Sequence, residues 1–86
     1  MELKIFTLTN KIIKIEVDKR AKIFELKKLI SKKENLKVNL IKLLNDKNVF
    51  ENDKELNYYD IKEDSKIYLL IYNYFKKINI IILLWI

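Results

Sequence analysis

The sequence predicts an α+β domain, a mixed sheet in ββαββ order with a short extra strand, packed on one helix. Three observations predict it. Residues 1–7 and 12–17 alternate apolar and polar with a period of two, residues 22–34 switch to helical spacing, and residues 66–72 alternate again. A period of two marks half-buried strands, and recurrence every three or four residues marks an amphipathic helix. A hairpin, one crossing helix and further strands place that helix against one face of the sheet.

In the first strand Met1, Leu3 and Ile5 fall on one face and Glu2, Lys4 and Phe6 on the other. Leu8-Thr9-Asn10-Lys11 interrupts, and Asn10 is a residue type that tolerates a left-handed turn. Ile13, Ile15 and Val17 then share a face, which completes a hairpin. In the helix Ile23, Leu26, Leu29 and Ile30 form the apolar stripe, with Lys27, Lys28, Lys32 and Lys33 mostly opposite. Its start is weakly signalled, because Asp18 comes early for a cap and the Lys22 side chain cannot accept a backbone hydrogen bond. Asn35 is a suitable stop. Residues 40–45 suit a third strand, Asn45 to Asn48 a turn of residues that tolerate positive φ, and Val49-Phe50 the short extra strand. Residues 51–65 read as a packed loop with a helical turn, anchored by Leu56, Tyr59 and Ile61. In the last strand Ile67, Leu69 and Ile71 oppose Tyr68, Leu70 and Tyr72.

Eighty-six residues suit one domain with a modest core. The chain contains no glycine, proline, cysteine or histidine. Positive-φ turns must therefore use Asn, Asp or a strained residue, and neither a disulfide nor a thiolate or imidazole metal site can form. The net charge of +6 is uneven: residues 1–35 carry ten Lys or Arg against five Asp or Glu, and residues 36–72 carry six against seven. The lysines are scattered among carboxylates, which reads as a solvated surface, and nucleic-acid binding is not expected. Glu2 and Lys4 break any apolar run at the start, so no signal peptide is read there.

The chain resembles the ubiquitin family over residues 1–72, with no insertion or deletion. The resemblance is carried by Thr7-Leu8-Thr9-Asn10-Lys11, by Ile13, Ile15 and Val17, by Ile23, Leu26 and Ile30, and by Leu43-Leu44, Leu56, Tyr59-Asp60-Ile61, Ser65, Ile67 and Leu69. It implies the β-grasp fold and agrees with the periodicity. Conjugated members end in a di-glycine, which lets enzyme channels grip a narrow extended backbone. Phe75 and Lys76 stand at those positions here, so the resemblance implies a domain that is not conjugated. At two lysine positions that the family uses for chain building stand Asn48 and Glu63. Lys11, Lys27 and Lys33 are kept and read as solvated or core-flanking lysines.

The family is recognised through an apolar patch on the open sheet face, and its three anchors are kept as Leu8, Leu44 and Leu70. If the hairpin pairs as in the family, Phe6 and Ile12 lie opposite each other on that face, with Tyr68 on the last strand and Val49 and Tyr72 at the rim. The expected protein-binding set is Leu8, Leu44, Leu70, Phe6, Tyr68, Ile12, Val49 and Lys42. Large exposed apolar patches mark interfaces. The expected occupants are a ubiquitin-binding domain or proteasomal receptor, a second copy, or the chain's own tail.

That tail, residues 73–86, is apolar from Ile78 to Ile86 except for Asn79. As a helix these nine residues reach about 14 Å, short of the ~30 Å hydrocarbon core. Lys76-Lys77 and Trp85 suit a membrane-surface anchor, and the run would begin a spanning helix if the natural protein continued. The isoleucines equally suit docking over the apolar face, and we place self-docking or self-association ahead of the membrane. The functional expectation is a non-conjugated ubiquitin-like interaction domain of the cytoplasm or nucleus. The alternative is a small membrane-associated or self-assembling structural protein. No enzyme and no cofactor are expected, since Ser31 and Ser65 are the chain's serines and the pairs Asp53/Glu55 and Glu63/Asp64 fall in loops.

Overall fold

A computed structural model describes residues 1–71. Strands β1 (Glu2–Thr7) and β2 (Ile12–Glu16) form an antiparallel hairpin, followed by helix α1 (Ile23–Glu34), β3 (Ile41–Leu44) and β4 (Ile67–Ile71). The sheet runs β2-β1-β4-β3, with β1 parallel to β4 and both edge pairs antiparallel. One-turn 3-10 helices at Val38–Leu40 and Leu56–Tyr59 precede β3 and interrupt the long loop. Leu40 therefore belongs to the lead-in and not to the strand.

The core lies between α1 and the sheet. Leu3, Ile5, Ile13, Ile15, Leu43, Ile67 and Leu69 point inward from the strands, meeting Ile23, Leu26 and Ile30 of the helix and Leu56 of the loop. Period-two alternation chose these faces correctly in all three long strands. Ile71 continues the alternation yet is exposed at the strand's end. Leu29 is also exposed, against expectation, while the neighbouring Lys27 is buried. At 100° per residue, Ile23, Leu26, Lys27 and Ile30 form one stripe. Leu29 and Phe24 lie on its two flanks, each roughly 110° from the centre by the same rotation.

Three described residues adopt positive φ: Asn10 (64°), Asn35 (55°) and Asp60 (57°). In a chain without glycine, these are residue types whose short polar side chains make the left-handed region least costly. Asn35 closes α1, its N–H donating to the Ser31 carbonyl. Asn35→Ile is expected to cost ~1–2 kcal/mol, read as a lower urea midpoint, whereas Asn35→Gly should hold or raise that midpoint. The 45–48 turn does not use positive φ. The Asn45 side-chain oxygen instead accepts from the Lys47 and Asn48 N–H groups at 2.9 and 2.7 Å. Val49-Phe50 is not a strand either. It makes one bridge, Leu44 to Val49, and the Phe50 N–H donates to the Leu43 carbonyl at 2.9 Å. Phe50 then turns into the core against Tyr59, whose hydroxyl accepts from the Glu51 N–H at 2.8 Å and ends the pairing.

Helix α1 starts without a side-chain cap. The N–H groups of Ile23 and Phe24 donate instead to the Lys54 and Asn52 carbonyls, at 2.8 and 3.1 Å. The long loop thus caps the helix from outside, satisfying donors that a helix start leaves unpaired.

Burial of Lys27, with repulsion from Lys42 as the smaller cause, holds its amine below the usual lysine range. A lysine whose folded pKa is depressed costs stability while it is protonated. Stability from this group therefore rises with pH from the lowered pKa up to the ordinary lysine pKa of about 10.5, where the unfolded chain binds the extra proton. Lys27→Met is expected to raise stability at neutral pH by about 1 kcal/mol, with the methionine keeping the buried stem. Denaturant midpoints of the two forms should converge as pH climbs through that window.

Candidate protein-binding face

Alternation that buries Leu3, Ile5, Ile13, Ile67 and Leu69 must turn their neighbours to the far side of the sheet. Registers then decide which of those neighbours meet. Phe6 pairs with Ile12 across the hairpin, Phe6 with Tyr68 across the parallel pair, and Tyr68 with Leu44 across the second antiparallel pair. Leu44 in turn bridges to Val49. The outward face thus carries one unbroken apolar row, in the order Ile12, Phe6, Tyr68, Leu44 and Val49, crossing every strand of the sheet.

The row is accessible. Ile12, Tyr68 and Val49 are exposed by 49, 40 and 53%, and Phe6 and Leu44 are half-buried between them. The Phe6 and Tyr68 rings lie 6.1 Å apart at 43°, in the range where tilted aromatic pairs attract. One step along β3 and β4, Lys42 stands opposite Leu70, both half-buried. Leu8 follows the end of β1 and is 77% exposed on the hairpin turn. Thr7 fixes that turn: its hydroxyl accepts from the Lys11 N–H at 3.1 Å, and its backbone N–H donates to the Lys11 carbonyl at 3.0 Å.

The structure therefore brings seven of the eight expected residues onto two adjacent rows, with Leu8 at the margin. Tyr72 and the tail at 73–86, both part of the expectation, lie outside the described residues. On the other side of the main row Lys4 faces Lys14, so cations flank the apolar row on both sides. Sequence reasoning did not single out this flank, although both lysines occupy outward positions in the alternation.

Away from this face Phe24, Leu29 and Tyr58 are exposed singly, the Lys28 and Lys54 ammonium groups sitting 5.2 and 4.9 Å from the Phe24 and Tyr58 ring centres. Among the described residues no cluster of three His, Cys, Asp or Glu side chains has a geometry to hold a metal ion. No described helix is long and apolar enough to cross a membrane. The face is a surface of contact chemistry: exposed apolar area, one aromatic hydroxyl, and ammonium groups at the rim.

The model of the ubiquitin family matches residues 3–73 of the chain. No curated protein matches it.

Proposed function

Because the chain belongs to the ubiquitin family, whose domains generally serve as modifiers or as protein-interaction modules, we propose that it is the second kind: a domain read by a protein partner and not joined to one. Residues 1–72 form the recognised unit in this reading, and residues 73–86 are a tail appended to it. The single observation that carries the reading is the continuous Ile12–Phe6–Tyr68–Leu44–Val49 row. Contiguous exposed apolar surface of this kind marks an interface, whereas apolar side chains exposed one at a time do not.

The partner is of the ubiquitin-binding or proteasomal-receptor type, and it presents an amphipathic surface. Its apolar side lies along the row, and acidic groups at its margin meet Lys42, Lys4 and Lys14. The reading is one of binding and not of catalysis, and what supports it is the contact chemistry of the exposed apolar row. It excludes conjugation because Phe75 and Lys76 replace the paired glycines, and it sets the domain in the cytoplasm or nucleus, where such partners occur.

The test titrates an isolated proteasomal ubiquitin-receptor domain against the intact chain and against its Leu44→Asp form, beside affinity capture read by mass spectrometry. Leu44→Asp is expected to abolish both binding and capture while keeping the amide NMR spectrum of a folded domain. Retained binding with the fold intact rejects the reading.

A further inference from the structure

Lysines that are scattered in the sequence come together on the outward face. Lys4 pairs with Lys14 across the hairpin. Carrying the parallel register of β1 and β4 back one residue from the Ile5–Ile67 pair sets Lys66 beside Lys4. All three are exposed, and each stands two residues from a member of the apolar row, hence on the same face. We propose that this Lys14–Lys4–Lys66 row is a charge-reading subsite, which takes a line of carboxylates one turn apart on a partner helix laid across the strands. The subsite rests on the recognition reading of the adjacent apolar row and names the shape and charge of its partner.

Three observations carry it. The first is that the row is unpaired. Among the described residues the ion pairs join Met1 to Glu16, Lys11 to Glu34 and Lys62 to Asp60, and none engages Lys4, Lys14 or Lys66. Adjacent ammonium groups repel one another, and an anionic partner relieves that repulsion. The second is banding. Two residues further along the hairpin Glu2 pairs with Glu16, so the face runs apolar, cationic, anionic in steps of roughly 7 Å. Partner carboxylates are drawn to the middle band and repelled from the outer one, which fixes their distance from the apolar row. A broad polyanion meets the acidic band, whereas a narrow line of carboxylates does not.

The third is spacing. Neighbouring strands lie about 4.8 Å apart, and the apolar row covers four such steps from Ile12 to Val49, roughly 19 Å. A helix repeats its face about every 5.4 Å, so about fourteen residues lie along the row nearly in step with it. An extended peptide repeats its face about every 6.8 Å and falls a full strand out of step over the same length. Helix residues about 100° from the apolar stripe then hang over the lysines, themselves one turn apart. On the opposite flank a single lysine, Lys42, stands across from Leu70, so three cations against one set the side on which the partner carries its acids.

The test uses three synthetic helical peptides of about fourteen residues that share one apolar stripe and carry Glu, Gln or Lys beside it. In titration calorimetry on the full chain the Glu peptide should bind, and the Gln peptide should bind at least about tenfold more weakly. The Lys4→Glu/Lys14→Glu form should lose at least about tenfold toward the Glu peptide and gain as much toward the Lys peptide. Lys66→Glu should act in the same direction, which keeps the test valid if the double variant does not fold. Lys28→Glu/Lys32→Glu makes the same change in net charge at exposed positions of α1 and should leave the Glu peptide within about twofold. Every variant is required to keep a folded amide spectrum. Equal binding of the Glu and Gln peptides, no gain of the Lys peptide in any folded row variant, or an equal loss in the α1 control overturns the proposal. So does a single-stranded oligonucleotide or anionic vesicle that binds through these lysines when the Glu peptide does not, since the row is then a polyanion surface. Loss of the Glu peptide in Leu44→Asp with Lys4→Glu/Lys14→Glu unaffected overturns the lysine row alone. Retention in Leu44→Asp with loss in the lysine variant overturns the reading of the apolar row alone.

Discussion

Leu56→Ala is expected to remove most of the domain's stability. Leu56 is fully buried in the core, although it sits in a loop between β3 and β4. Truncating a buried leucine costs about 3–4 kcal/mol, from lost transfer free energy and the cavity left behind. A domain of this size holds roughly 4–10 kcal/mol in total. The loss therefore corresponds to a fall in Tm of roughly 15–30 °C.

The position matters beyond its volume. The Leu56 N–H donates to the Ala21 carbonyl at 2.9 Å, Lys22 bridges to Glu55, and the carbonyls of Lys54 and Asn52 accept from the first two N–H groups of α1. Leu56 is the apolar pin that holds this strap against the helix start. In hydrogen exchange, the amides of Ile23 and Phe24 should lose protection ahead of those of Leu26 and Ile30. Leu8→Ala, at an exposed position, is the control and should change stability by less than about 0.5 kcal/mol. A cost below about 1 kcal/mol for Leu56→Ala would show that the loop is not packed as described.

That strap also marks the boundary of what local sequence could reveal. The paired strands and the helix were legible because each carries its own period, and Asn10 and Asn35 were legible as stops because a chain without glycine has few alternatives at positive φ. The cap on α1 was not, since it comes from a backbone some thirty residues away, and backbone carbonyls leave no signature in residue type. Asp18, too early to cap, serves the approach instead, its carboxylate accepting from the Arg20 N–H at 2.8 Å. Val49-Phe50 had strand-like composition, but a bridge followed by an inward turn is set by Tyr59 from outside the segment. Leu29 and Lys27 exchanged places for a related reason. Hydrophobicity named the leucine, whereas the helix's rotation, fixed by Ile23, Leu26 and Ile30, put the lysine's long apolar stem against the core.

The candidate face divides in the same way. Alternation set Phe6, Tyr68 and Leu70 opposite the buried residues of their strands, while the family resemblance supplied Leu8, Leu44 and Leu70 as anchors and the pairing of Phe6 with Ile12. That four of the residues line up depends on three strand registers, two of them between strands far apart in sequence and one of those parallel, and the Leu44–Val49 bridge adds the fifth. A slip of one residue in any strand would turn its outward set into the core. The same buried residues that hold the fold therefore fix the row.

The row predicts a graded loss of binding, steepest at its middle. Tyr68 is the only member flanked by two row neighbours that are themselves half-buried, Phe6 and Leu44. Central, well-surrounded aromatic residues are where interfaces concentrate their free energy, while residues at the edge mainly exclude water. Tyr68→Asp should weaken receptor binding at least about a hundredfold, equivalent to about 2.7 kcal/mol. Ile12→Ala and Val49→Ala, at the two ends, should each cost less than about 1 kcal/mol. The fold should survive in all three, because Tyr68 is 40% exposed and loses mainly its ring contact with Phe6, worth about 0.5–1.5 kcal/mol. Titration calorimetry on the full chain measures the gradient. Equal effects at all three positions would mean that the row is not read as one surface, and a minimum effect at Tyr68 would move the interface off this face altogether.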